Sequence, residues 1–178
     1  ENAREDEVDT ILTCDNGIAA FEEISLARDY GMTVIVTDHH EVPYTEENGN
    51  KKYHLPPADV VVDPKQSADT SHFKGICGAL IAYKLIEALC EKSGEEEKKK
   101  SLQKELLPFA ALATVCDVME LRDENRIIVK YGMQQMKETE NPGLLALLQV
   151  NDLMDKELSP YHAGFILGPC LNATGRLD

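Results

Sequence analysis

Apolar positions fall into short β-type runs and longer stripes at helical spacing, strand and helix alternating at first and helices prevailing later. Val8–Cys14 is a short β-type run, and Asp15-Asn16-Gly17 breaks it as a turn. Residues 18–30 carry Ile18, Phe21, Ile24, Leu26 and Ala27 at helical spacing, and Gly31 suits the position just past a helix end. Thr33–Thr37 is the next strand. It runs into Asp38-His39-His40, after which Pro43 forbids helix. Residues 41–55 are polar and read as loop, marked by Asn48-Gly49, and Ala58–Val62 is a third strand ended by Asp63-Pro64. Phe73–Gly78 leads into a helix through Glu91 whose apolar arc (Ile76, Leu80, Ile81, Leu85, Ile86, Leu89) is wide enough for burial on more than one side.

Residues 91–100 read as a solvated, charged connection. Leu102–Met119 is helical again, with Pro108 expected to kink or restart it. Two more helices are predicted over 124–138 and 143–150, split by Asn141-Pro142-Gly143. Ser159 is placed to cap a last helix with Pro160 in its first turn, ahead of Gly168–Arg176.

Strand, short helix, strand is a βαβ unit, whose crossover is right-handed and whose strands are parallel. The predicted class is therefore α/β: a parallel β-sheet flanked by helices, followed by a helical segment. Asp15 and Asp38-His39-His40 then end neighbouring parallel strands on the same edge of the sheet, where open parallel sheets bind ligands.

Composition narrows the chemistry. The 178 residues are 43% hydrophobic and 28% charged, ordinary for a globular domain. A net charge of −14 argues against a duplex binder that works by spreading cations over phosphates. It leaves room for a phosphate-handling enzyme whose carboxylates hold metal ions. The five cysteines (14, 77, 90, 116, 170) form no Cys-x-x-Cys pair and read as reduced, packed residues of a cytoplasmic protein. No apolar run approaches the ~18 residues of a membrane span. The charged start without Met is expected of a piece of a longer protein.

Asp117 closes the buried run Leu106–Val115, at a helix C-terminus where a carboxylate meets the negative end of the dipole. A nearby cation would explain it; plain solvent exposure would serve equally. Carboxylates with imidazole and no cysteine suit Mn²⁺ or Mg²⁺ rather than structural zinc. No Gly-x-Ser-x-Gly turn supports a serine nucleophile. Metal-assisted attack on phosphorus is the reading these residue types favour.

Thr13–Ile18, Val36–Pro43 with its Asp-His-His, Ala113–Met119 and Gly168–Leu177 resemble, in order, the motifs of the DHH phosphoesterase superfamily. The last motif, with Val62–Lys65 and Gly75–Ala79, resembles the RecJ branch of that family, single-strand-specific 5′→3′ DNA exonucleases of repair and recombination. The resemblance implies that residues 1–140 are the DHH domain and that 141–178 are a helical connector toward a second domain absent from this chain. It implies two Mn²⁺ (or Mg²⁺) ions, with Asp15 bridging both, His39 ligating one and Asp117 completing that ion's shell. By the same resemblance, His40 faces the scissile phosphate and Asp38 orients an imidazole from behind. The resemblance also implies that Asn172 and Arg176 grip a DNA phosphate. The implied partners are single-stranded DNA and a single-strand-binding protein or helicase.

One departure is large: the family's Asp-x-Asp strand ahead of the Asp15 motif has no counterpart here. The chain is therefore expected to be an internal piece with part of the metal ligands, weak or inactive alone. Small-substrate phosphatases of the same family (nanoRNA or nucleotide phosphodiesterases, pyrophosphatases) and a non-catalytic replication scaffold are the alternatives.

Overall fold

Three short β-branched runs, β1 (Thr10–Leu12), β2 (Thr33–Thr37) and β5 (Val60–Val62), form a parallel sheet with β2 in the centre. In register, Ile11 pairs with Val34, and Val36 with Val61. These residues point to the face covered by helix α2 (Phe21–Asp29), where Ile24, Ala27, Met32, Val34 and Val36 make the core. Burying a side chain of this kind contributes about 1.5–3 kcal/mol. The alternate positions Leu12, Val60 and Val62 are on the other face and are exposed. The computed structural model describes residues 2–173, beginning with one helical turn, α1 (Asn2–Glu5).

Residues 41–55 are not a plain loop. Strands β3 (Tyr44–Glu47) and β4 (Asn50–Tyr53) pair antiparallel around Asn48-Gly49. Both turn residues have positive φ, 54° and 77°, the geometry that Asn-Gly adopts in a tight hairpin. Every position of both strands is exposed, so burial supplied no hydrophobic alternation to signal them. The Tyr44 and Tyr53 rings meet across the pair, 5.7 Å apart.

The chain forms two compact units, Glu1–Ala82 and Tyr83–Asp178. Helix α3 (Gly78–Ser93) begins in the first. In the second, α4 (Glu96–Cys116) packs on α5 (Asp123–Met136). Helix α4 starts within the charged segment expected to be a connection, and it runs unbroken through the buried Pro108. Gly132 lets α5 approach closely, since a Cβ there would collide with Ala111 and the Leu107 carbonyl. Helix α6 (Pro142–Val150) is capped by the Asn141 side chain, which accepts from the Leu144 amide at 3.1 Å. Ser159 caps α7 (Pro160–His162) as predicted, in a capping box with His162. A π-helical stretch, Ala163–Leu167, and α8 (Gly168–Ala173) follow. Among the described residues no helix is long and apolar enough to cross a membrane.

Candidate metal centre

The β1–β2 ladder carries the first acidic residue to the strand ends. Past β1, the Thr13 amide donates to the Ile35 carbonyl (2.9 Å) and the Asp15 amide to that of Thr37 (3.0 Å). Thr37 Oγ1 donates back to the Thr13 carbonyl at 2.7 Å. These bonds hold Asp15 beside the end of β2, as the βαβ argument requires. Asp15 has φ 64°, a left-handed conformation uncommon for residues other than glycine, though tolerated best by Asp and Asn. Gly78, the first residue of α3, lies against it: a Cβ there would fall 2.6 Å from Asp15 Cγ. The carboxylate has its place because residue 78 has no side chain.

Asp38 and His39 follow β2 into the interior, and His40 emerges from it. Asp38 is 1% exposed, and hydrogen-bond donors occupy both of its oxygens. Oδ2 accepts from the Ile18 amide (2.9 Å). Oδ1 accepts from the amides of His39 (2.8 Å) and His40 (3.2 Å) and meets His40 Nδ1 at 2.7 Å. Burial pushes the Asp38 carboxyl up. The Ile18 amide, the His40 ring and the two further amides outweigh it and hold the group below its ordinary value, so it is an anion in the folded protein. The imidazole that Asp38 orients is thus that of His40.

The buried His39 directs Nε2 to Asp15 Oδ1, 2.9 Å away. Its ring centroid is 4.5 Å from that of His40. One ligand atom each from Asp15, His39 and His40 lie within 4.8 Å of one another. Carboxylate and imidazole donors this close, open to solvent at Asp15 and His40 and closed behind by buried residues, fit a divalent ion of the Mn²⁺ type. The donor set holds no thiolate; Cys14 is next to it, but burial, then Asp15, raise its thiol pKa.

Asp117 belongs to the second unit. It is exposed and forms the C-cap of α4, its amide donating to the Ala113 carbonyl at 2.9 Å. Asn172 is exposed on α8, and Arg176 lies outside the described residues. Sequence reasoning missed Asp63, a buried carboxylate just past β5. Its signal was available: Asp63-Pro64 follows three valines as Asp38 follows a β-branched run.

A profile of the DHH family's N-terminal domain matches residues 2–114. The chain belongs to the DHH family. Relatives include the single-stranded-DNA-specific exonuclease RecJ of Bacillus subtilis, 39% identical over 94% of this chain and 19% of the relative. The RecJ of Escherichia coli is 35% identical over 94% of this chain and 29% of the relative. Among solved structures, RecJ from Thermus thermophilus in complex with Mn²⁺ superposes with a TM-score of 0.76 at 29% identity, covering 99% of this chain and 24% of the other. An exonuclease RecJ bound to manganese gives 0.77 at 28% identity, covering 99% and 41%. The chain therefore spans less than half the length of these relatives and structures.

Proposed function

We propose that this chain supplies the metal-holding DHH domain of a manganese-dependent phosphodiesterase that digests single-stranded DNA from the 5′ end, in DNA repair and recombination. The carrying observation is the Asp15–His39–His40 cluster at the ends of adjacent parallel strands. The RecJ relatives and the two manganese-bound RecJ structures support the substrate and the metal. The profile match over 2–114 falls within the 1–140 span read as the DHH domain, with 141–178 as connector.

A bound ion supplies Lewis-acid charge at phosphorus and lowers the pKa of water. The chain's own residues do the rest. Asp15 and His39 hold the metal. Asp38 fixes the His40 ring through Nδ1, leaving Nε2 to meet a phosphate oxygen or pass a proton. For Asp117, the motif resemblance supports a further carboxylate ligand; for Asn172 and Arg176, it supports contact with a DNA phosphate. Five free cysteines among the described residues suit a cytoplasmic setting. A single-strand-binding protein or helicase as partner rests on the resemblance.

The test compares Mn²⁺-dependent hydrolysis of 5′-phosphorylated single-stranded DNA, dinucleotides and pyrophosphate by the protein with and without Asp15→Asn and Asp117→Asn. The expected outcome is preference for the DNA, lost in both variants. Preference for pyrophosphate or dinucleotides would move the assignment to the small-substrate phosphatases.

A further inference from the structure

The site contains two histidines, and the described contacts give one of them a buried carboxylate. Asp38 serves His40, with both its oxygens occupied by the donors already named. A second buried carboxylate sits alongside. Asp63 follows β5 as Asp38 follows β2, and the Asp38 amide donates to the Val62 carbonyl at 3.0 Å, so the two residues lie at adjacent strand ends. Asp63 is 2% exposed. Its Oδ1 accepts from the Lys65 amide at 2.8 Å. Its Oδ2 is buried and has no hydrogen-bond partner.

An unsatisfied buried carboxylate oxygen costs free energy. Such a cost is commonly kept where a function uses the group. Burial outweighs the Lys65 amide and leaves the Asp63 carboxyl above its ordinary value. Asp63 and the Asp38-His39 pair follow the ends of adjacent, hydrogen-bonded strands, β5 and β2. His39 in turn directs Nε2 toward Asp15. A histidine that gives one nitrogen to a metal is normally held through the other by a carboxylate or carbonyl.

We propose that Asp63 is the positioning carboxylate of His39: its Oδ2 takes the imidazole N–H on the side away from Asp15 when Nε2 binds the divalent ion. Each histidine then has its own buried aspartate, His40 that of β2 and His39 that of β5. Asp63 acts through His39 and does not touch substrate.

This inference rests on the metal reading of the site. Its test is Mn²⁺ binding, read by loss of the free-ion electron paramagnetic resonance signal, beside thermal melting of the metal-free protein. Asp63→Asn keeps an acceptor for the Lys65 amide but has one acceptor oxygen for two donors. The expected result is Mn²⁺ affinity weaker by about 10–100-fold, with the metal-free melting temperature unchanged or raised because a buried charge is gone. Asp63→Ala should weaken Mn²⁺ binding at least as much. A role confined to the Lys65 turn predicts unchanged Mn²⁺ affinity in Asp63→Asn, and that result would overturn the proposal. So would a loss of binding that only tracks a loss of melting temperature. If the unsubstituted protein itself takes up no Mn²⁺, the metal reading fails and this inference with it; binding by the unsubstituted protein with no change in either variant sinks the inference alone.

Discussion

Asp15 illustrates how much of the site is set by neighbours that have no chemistry of their own. Its carboxylate position depends on Gly78, where a methyl group would displace it. Gly78→Ala is therefore expected to lower Mn²⁺ affinity and to cost ~10²-fold in hydrolysis, the usual effect of an ångström-scale misplacement, without weakening α3. Equal Mn²⁺ affinity in a titration of both proteins would refute this. His40 separates binding from chemistry: His40→Ala should leave Mn²⁺ affinity within a few-fold and reduce kcat by about 10²–10⁴-fold. At this scale the sequence made Asp15, Asp38, His39 and His40 legible, because β-branched runs announce the strands that end at them. It did not reveal which imidazole Asp38 orients. That choice depends on a hydrogen bond within the loop after β2, and both histidines lie within two residues of Asp38. Gly78 was missed because its reason for being glycine is a side chain 63 positions away.

The elements show the same division. Strands β1, β2 and β5 were readable as β-branched runs between Gly, Asp and Pro, and the parallel pairing of β1 with β2 followed from the helix between them. The β3–β4 hairpin was not read, because its strands are exposed throughout and only Asn48-Gly49 marks it. The early start of α4 was obscured by charge: Glu96–Lys100 reads as solvated surface, which it also is, on a helix. The continuity of α4 across Pro108 came from packing, which no local rule contains. One element-scale feature carries a consequence for behaviour in solution. Parallel sheets normally bury both faces, yet Leu12 is 55% and Val60 48% exposed in this chain. The 178-residue chain is expected to self-associate through this face as its concentration rises. A Leu12→Lys, Val60→Lys double variant should sediment closer to a monomer while keeping Mn²⁺ binding. An unchanged sedimentation profile would assign the association elsewhere.

Across the whole chain, charge and metal chemistry answer each other. With a net charge of −14, the protein should repel a polyanion except where cations intervene. Its binding to single-stranded DNA is thus expected to be negligible in chelator and to appear with Mn²⁺. Strong metal-free binding would show a basic surface that the composition does not suggest. The DHH assignment rests on the ordered motifs and on the profile match over 2–114; the metal centre rests on Asp15 and His39, with His40 beside them, in the first unit. The most direct measurement on that centre is a Mn²⁺ titration of the protein followed by electron paramagnetic resonance, with Asp15→Asn and His39→Ala alongside. Saturable Mn²⁺ uptake by the unsubstituted protein, lost or weakened at least tenfold in both variants, is the predicted result; equal uptake by all three proteins would contradict the account.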